Sequence, residues 1–147
     1  MQETPYKRLM SRTKPTRRSA CPISYALDFF GDKWTLLVVR DLMFGGKRRY
    51  GEFLNSDEAI ATNILADRLA KLENAGIIRK SADPQTRARN VYRLTDKGLD
   101  LIPVMLELVV WGAKHDPQTG APKAFIRRYK TDRENVVKEI RDRLAKD

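Results

Sequence analysis

Cys21, Asn63 and a group of arginines between residues 79 and 93 have the most chemistry to offer in this 147-residue sequence. Cys21 precedes Pro22, and proline is favoured at the first position of a helix, so the thiol is expected at a helix N-cap. A thiol there meets the positive end of the helix dipole, and Arg17 and Arg18 lie just upstream. Both influences favour the thiolate, the form that reacts with oxidants and electrophiles. The alternative is a small buried cysteine that only packs.

Residues 61–75 read as an amphipathic helix stopped by Gly76. At about 100° per residue, Leu65, Leu69 and Leu72 share one side with Ala61. The opposite side carries Asn63, Ala66, Asp67, Ala70 and Asn74, with Thr62 on its flank. Alanines at 66 and 70 let a backbone approach base edges. The Asn63 amide can pair bidentately with adenine in a major groove, and Thr62 suits a phosphate or a thymine methyl. Arg68 lies nearer the buried side, where a phosphate contact and an internal ion pair both remain open. An ordinary surface helix has the same pattern. The distinguishing context is the tight turn before it and the hairpin after it. Strands at 77–81 and 90–94 enclose a loop, 82–88, built on Asp83-Pro84. Arg79, Lys80, Arg87, Arg89 and Arg93 lie on or beside that hairpin. Arginines on a narrow ribbon suit the negative potential of a minor groove; charge that blocks edge-to-edge pairing is the other reading. Arg87 and Arg89, with Lys80, are the expected contacts. Lys47, Arg48 and Arg49 precede a helix start and are expected to attract phosphate, although Arg49 can equally pair with Glu52 or Asp57.

These residues need elements to hold them. Residues 22–30 form a predicted helix, broken at Gly31-Asp32. Residues 33–44 carry apolar side chains all round and read as a central buried helix, ended by a left-handed cap at Gly45-Gly46. A short helix at 50–55 and a turn at 56–60 lead into 61–75. After the hairpin, Thr95 caps a helix predicted to run to about residue 111, bent by Pro103. A loop at 116–122 precedes a last, highly charged helix at 123–146. The fold class is therefore mainly α with a small β-hairpin wing, a winged helix-turn-helix. Apolar surface at 99–111 exceeds what one small domain covers, which predicts a two-fold dimer through that helix and the first one.

Lys plus Arg (29) exceed Asp plus Glu (19) by 10, an excess that suits a polyanion. Residues 1–20 hold six of these cations against Glu3 alone, and read either as a flexible basic arm or as an inert tail. No apolar run approaches the roughly 20 residues of a membrane span, and the start of the sequence lacks the apolar core of a signal peptide. A single cysteine fits a reducing compartment. One histidine, one cysteine and no acidic cluster give no metal site, and nothing asks for a cofactor. No nucleophile stands at recognisable spacing from a base, so no enzymatic activity is expected.

The ordered set of Cys21-Pro22-Ile23, Gly31-Asp32-Lys33-Trp34-Thr35-Leu36-Leu37, Arg40-Asp41-Leu42 and Arg49-Tyr50-Gly51-Glu52-Phe53 resembles the HxlR-type family of bacterial regulators, relatives of the MarR group. Ile60-Ala61-Thr62-Asn63-Ile64-Leu65, Leu72-Glu73-Asn74-Ala75-Gly76, Tyr92-Arg93-Leu94-Thr95 with Gly98, and Trp111-Gly112 continue it. The resemblance covers about residues 21–113, leaving 1–20 as an arm and 114–147 as a C-terminal helical extension. It implies a cytoplasmic homodimer with winged helix-turn-helix units that bind double-stranded DNA; such a dimer is expected to meet a pseudo-palindromic operator, and the function expected is that of a repressor. It also implies that a cysteine at the position of Cys21 can sense oxidants or electrophiles, and that a small-molecule effector is open. Ala61 departs from the serine usual at the cap. Asn90 and Val91 depart from the usual valine and glutamate of the wing, which leaves the strand pairing open. A winged module that binds protein without DNA is the reading from another class.

Overall fold

The computed structural model describes residues 17–147. The basic arm expected at 1–20 lies outside the described residues, apart from 17–20. Two compact units follow, one up to Asp32 and one spanning Lys33–Asp147.

In the first unit, helix α1 spans Pro22–Phe30 with Cys21 at its N-cap. Gly31 ends it, its N–H donating to the Leu27 carbonyl at 2.8 Å. A Cβ at Gly31 would meet that oxygen at 2.6 Å, so the close approach requires glycine. No residue of α1 is buried, and Ile23, Tyr25 and Leu27 are exposed.

The second unit opens with α2, Thr35–Met43, whose Val38, Val39, Leu42 and Met43 are buried. Trp34 is its cap, so the helix starts two residues later than expected. Gly46, at φ +65°, supplies the left-handed turn predicted at Gly45-Gly46. Helix α3 is only Tyr50–Phe53, and α4, Thr62–Asn74, follows the turn. Leu65, Leu69 and Leu72 turn inward as predicted; Ala61 is the exposed cap and offers no side-chain acceptor. Complete burial of Leu65 contributes about 1.5–3 kcal/mol.

Strands β1, Ile78–Ala82, and β2, Asn90–Leu94, pair antiparallel. The register sets Ile78 opposite Leu94 and Lys80 opposite Tyr92, which answers the pairing left open by Asn90 and Val91. Segment 47–49 lies along the other edge of β2, where the Tyr92 N–H donates to the Arg48 carbonyl at 2.8 Å.

Two expected helices are each divided. Thr95 caps α5, Asp96–Leu99, accepting from the Gly98 N–H at 3.2 Å. Helix α6 then runs Ile102–His115 with Pro103 in its first turn. Proline therefore opens a helix here instead of bending one, because its missing N–H would be unpaired at that position anyway. The final charged segment is α7, Lys123–Thr131, and α8, Arg133–Ala145, broken at Asp132. Both belong to the compact unit that holds the wing. Tyr129 of α7 is buried and donates to Glu107 Oε1 of α6 at 2.7 Å. Arg143 of α8 donates to the Met43 carbonyl at 3.1 Å, closing the end of α2 from 100 residues away.

Candidate nucleic-acid interface

Helix α4 presents one continuous outer face. Thr62, Asn63, Ala66, Asp67, Ala70, Lys71 and Asn74 are all exposed, backed by the three buried leucines. Its start is held from α3, where the Tyr50 hydroxyl donates to the Thr62 carbonyl at 2.8 Å. Asp67 is bridged by Lys71 at 3.1 Å and by Arg68, which hold its carboxyl below its ordinary range. Arg68 is therefore in an ion pair on its own helix.

The wing stands beside this face. Arg87 and Arg89 are exposed in its loop, and among the described residues neither guanidinium makes a hydrogen bond or a close ion pair, although the Arg89 charge is felt by Asp83. Lys80 is exposed on β1, 3.9 Å from Glu73. Between the wing and α3 is an open cleft of about 710 Å³, flanked by Arg49 and Arg89 and lined by Tyr50, Asn55, Asn90 and Tyr92.

Lys47, Arg48 and Arg49, expected to attract phosphate, each have protein partners, and those of Arg49 include the anticipated Glu52 at 3.8 Å. Lys47 Nζ donates to Ser56 Oγ at 2.9 Å and to Asp41 Oδ2 at 3.2 Å. The Arg48 guanidinium holds the Leu42 carbonyl at 2.7 Å and the Asp147 carboxylate at 2.7 Å. Arg49 Nε donates to Asp83 Oδ2 at 2.6 Å. The helix that follows them has only four residues. Charge near a helix start was legible; two of the acids that claim it, Asp83 and Asp147, come from distant parts of the chain.

Asp83 is the main residue the spacing missed. Its side chain is 3% exposed, accepts the Gln85 N–H at 3.0 Å, and is fixed by Arg49. The Arg49 bond, with that N–H, draws its carboxyl below the usual range. An aspartate bonding two residues ahead is an Asx turn, so Asp83-Pro84 signalled the loop but not its anchor. Asp41 was missed too. It is buried on α2 among Arg40, Lys47 and Ser56. Arg40 also spans both oxygens of Glu58, whose carboxyl it lowers to about 2.

Cys21 is exposed, its N–H donating to Ser19 Oγ at 3.2 Å. Arg18 reaches Asp28 Oδ1 at 2.7 Å and the Ser24 carbonyl at 3.0 Å. Among the described residues no cluster of three His, Cys, Asp or Glu could hold a metal, and no helix is long and apolar enough to cross a membrane.

A helix seated by leucines with a small polar outer face, a turn, and a charged two-stranded wing define a winged helix-turn-helix. The model of the HxlR-like helix-turn-helix family matches residues 29–119, and the chain belongs to that family. An HTH-type transcriptional regulator of Synechocystis, sll1512, is 38% identical over 88 residues, covering 60% of this chain and 64% of that protein. The chain thus spans just under two thirds of that relative's length. Among solved structures, PA1607, a transcription-factor candidate, is 36% identical with a TM-score of 0.64, covering 72% of this chain and 74% of the other. The redox regulator HypR in its reduced form is 31% identical with a TM-score of 0.57, covering 64% and 92%. A structure of oxidised HypR has a TM-score of 0.56 at 31% identity, covering 64% and 96%.

Proposed function

We propose that this chain is a sequence-specific repressor that binds a pseudo-palindromic operator as a homodimer in the cytoplasm. One observation carries the reading: α4 exposes Thr62, Asn63, Ala66 and Ala70 on a leucine-seated helix while Arg87 and Arg89 stand exposed on the wing. In this reading Asn63 reads a base edge, Ala66 allows the close approach, and Thr62 and Asp67 border the contact. Arg87, Arg89 and Lys80 take phosphate or the minor groove. Lys47, Arg48, Arg49 and Arg68 act mainly by holding the elements, with Arg49 still facing the cleft. The dimer rests on Val104, Leu108 and Trp111, exposed along one side of α6.

The test uses a duplex selected by the protein from a random pool and a scrambled duplex of equal length. Asn63→Ala is expected to lose about 1–3 kcal/mol on the selected duplex and little on the scrambled one. Arg89→Ala is expected to weaken both and to lower the salt slope by about one. Light scattering of the complex should find two chains per duplex. Equal losses on both duplexes for Asn63→Ala would remove α4 from base reading.

A second reading adds a thiol sensor. Cys21 is exposed at a helix cap, and the related HypR is a redox regulator solved in both oxidation states. As the only cysteine of the sequence, it forms a disulfide only with another chain or a small thiol. Complete alkylation of Cys21 is expected to change affinity for the selected duplex, with Cys21→Ser insensitive to the reagent. Unchanged affinity after full modification would leave the thiol without a sensing role.

A further inference from the structure

The turn that delivers α4 is held in an unusual backbone conformation. Ala59 has φ +54°, the left-handed region that side chains other than glycine's seldom occupy. It stands three residues before the helix starts, so whatever holds it also sets the direction in which α4 leaves.

The residues on both sides of Ala59 are tied to α2. Before it, the Ala59 N–H donates to the Ser56 carbonyl at 2.9 Å, and the Ser56 hydroxyl lies 2.7 Å from Asp41 Oδ2. Glu58 is spanned by Arg40, with Nη2 donating to Oε2 at 3.0 Å and Nη1 to the other oxygen. Arg40 is itself fixed by Asp41 Oδ1, at 3.1 Å from Nε and 2.9 Å from Nη2. After it, Ile60 is buried in the apolar core. Two cations, Arg40 and Lys47, balance two acids, Asp41 and Glu58, so the cluster is locally neutral. Within it, Glu58 is the charged member carried by the turn itself, immediately before the left-handed residue.

We infer that Glu58, held by Arg40, is a positioning residue for DNA reading: it fixes the angle at which α4 meets the groove. This rests on the reading of α4 as the base-reading helix. A bidentate amide contact tolerates about 10–20° of misorientation. Freeing the turn lets Ala59 relax towards ordinary backbone, and α4 turns with it about the Tyr50–Thr62 bond. Base contacts by Asn63 then suffer, whereas phosphate contacts from the wing are carried by separate elements and persist.

The experiment compares Glu58→Ala, Glu58→Gln and the unmodified protein on the selected and scrambled duplexes, with thermal unfolding in parallel. Glu58→Ala, still folded at the assay temperature, is expected to lower the ratio of selected to scrambled affinity about tenfold, with scrambled binding nearly unchanged. Glu58→Gln keeps an acceptor for Arg40 and is expected to recover part of that ratio. A purely stabilising role would shift the unfolding midpoint and leave the ratio alone, and a ratio within about twofold of the unmodified protein in both variants would overturn the inference. If the unmodified protein itself selects no duplex, the DNA reading falls and the inference falls with it; if it selects one and the variants keep its ratio, the inference alone falls.

Discussion

Gly98→Ala is expected to cost about 3 kcal/mol or more of folding stability, the largest effect of a single added methyl in this chain. A Cβ at Gly98 would lie 2.2 Å from the Ile77 carbonyl oxygen and 3.0 Å from Leu94 Cδ2. The first obstacle is backbone at the foot of the wing, which cannot swing aside as a side chain would. The Gly98 N–H also donates to the Thr95 hydroxyl oxygen, and the Thr95 N–H donates to the Ile77 carbonyl at 3.0 Å. To accommodate the methyl, α5 must separate from Ile77, just before β1, which breaks the cap and lifts the wing from its base. Denaturant unfolding should show a lower midpoint with an unchanged slope. As a control, Gly112→Ala meets nothing within 4 Å and lies in the last turn of α6, so it should be neutral or slightly stabilising. If the two substitutions had equal effects, the close approach of α5 to Ile77 would be wrong.

Tyr129→Ala is the second large effect, at about 3–5 kcal/mol. The ring is 1% exposed, its hydroxyl donates to Glu107, and the Arg133 guanidinium lies 5.2 Å over its face. Burial and the Glu107 bond both push its ionisation upward. Truncation removes a large apolar volume and leaves Glu107 to Arg133 alone. Tyr129→Phe keeps the volume and loses only the hydroxyl, so it should cost about 1 kcal/mol. The comparison tests whether α7 is part of the folded unit. A neutral Tyr129→Ala would make the C-terminal helices an appendage that the rest of the domain does not use.

The elements that determine the fold class were legible because each carries a local signal. Leucines at helical spacing and Gly76 defined α4, and Asp83-Pro84 between alternating strands defined the wing. Thr95 announced its helix through a cap that needs only the next three residues. The misreadings are of two physical kinds. Pro103 and Asp132 lie where apolar periodicity continues across a break, so pattern alone joined α5 to α6 and α7 to α8. For Lys47, Arg48 and Arg49 the local Glu52 partner of Arg49 was legible, but Asp41, Asp147 and Asp83 were not, because the fold brings them there. The outer face of α4 was readable residue by residue. The turn before it was not, since the left-handed Ala59 follows a glutamate held by an arginine on another helix and has no glycine or asparagine to mark it.

The bond from Arg143 to the Met43 carbonyl also has a consequence in time. Chains are made from the N-terminus at about 5–20 residues per second, so α2 waits about 5–20 s after its own synthesis for that partner. During that interval the wing and α4 can assemble on α2, but α6 lacks Tyr129 and the end of α2 lacks its closing cation. Completion of the unit is therefore a late, non-local step, slower than the hairpin and helices that precede it. A nascent chain halted in the loop before α7 would display the uncovered side of α6 to other chains and to chaperones.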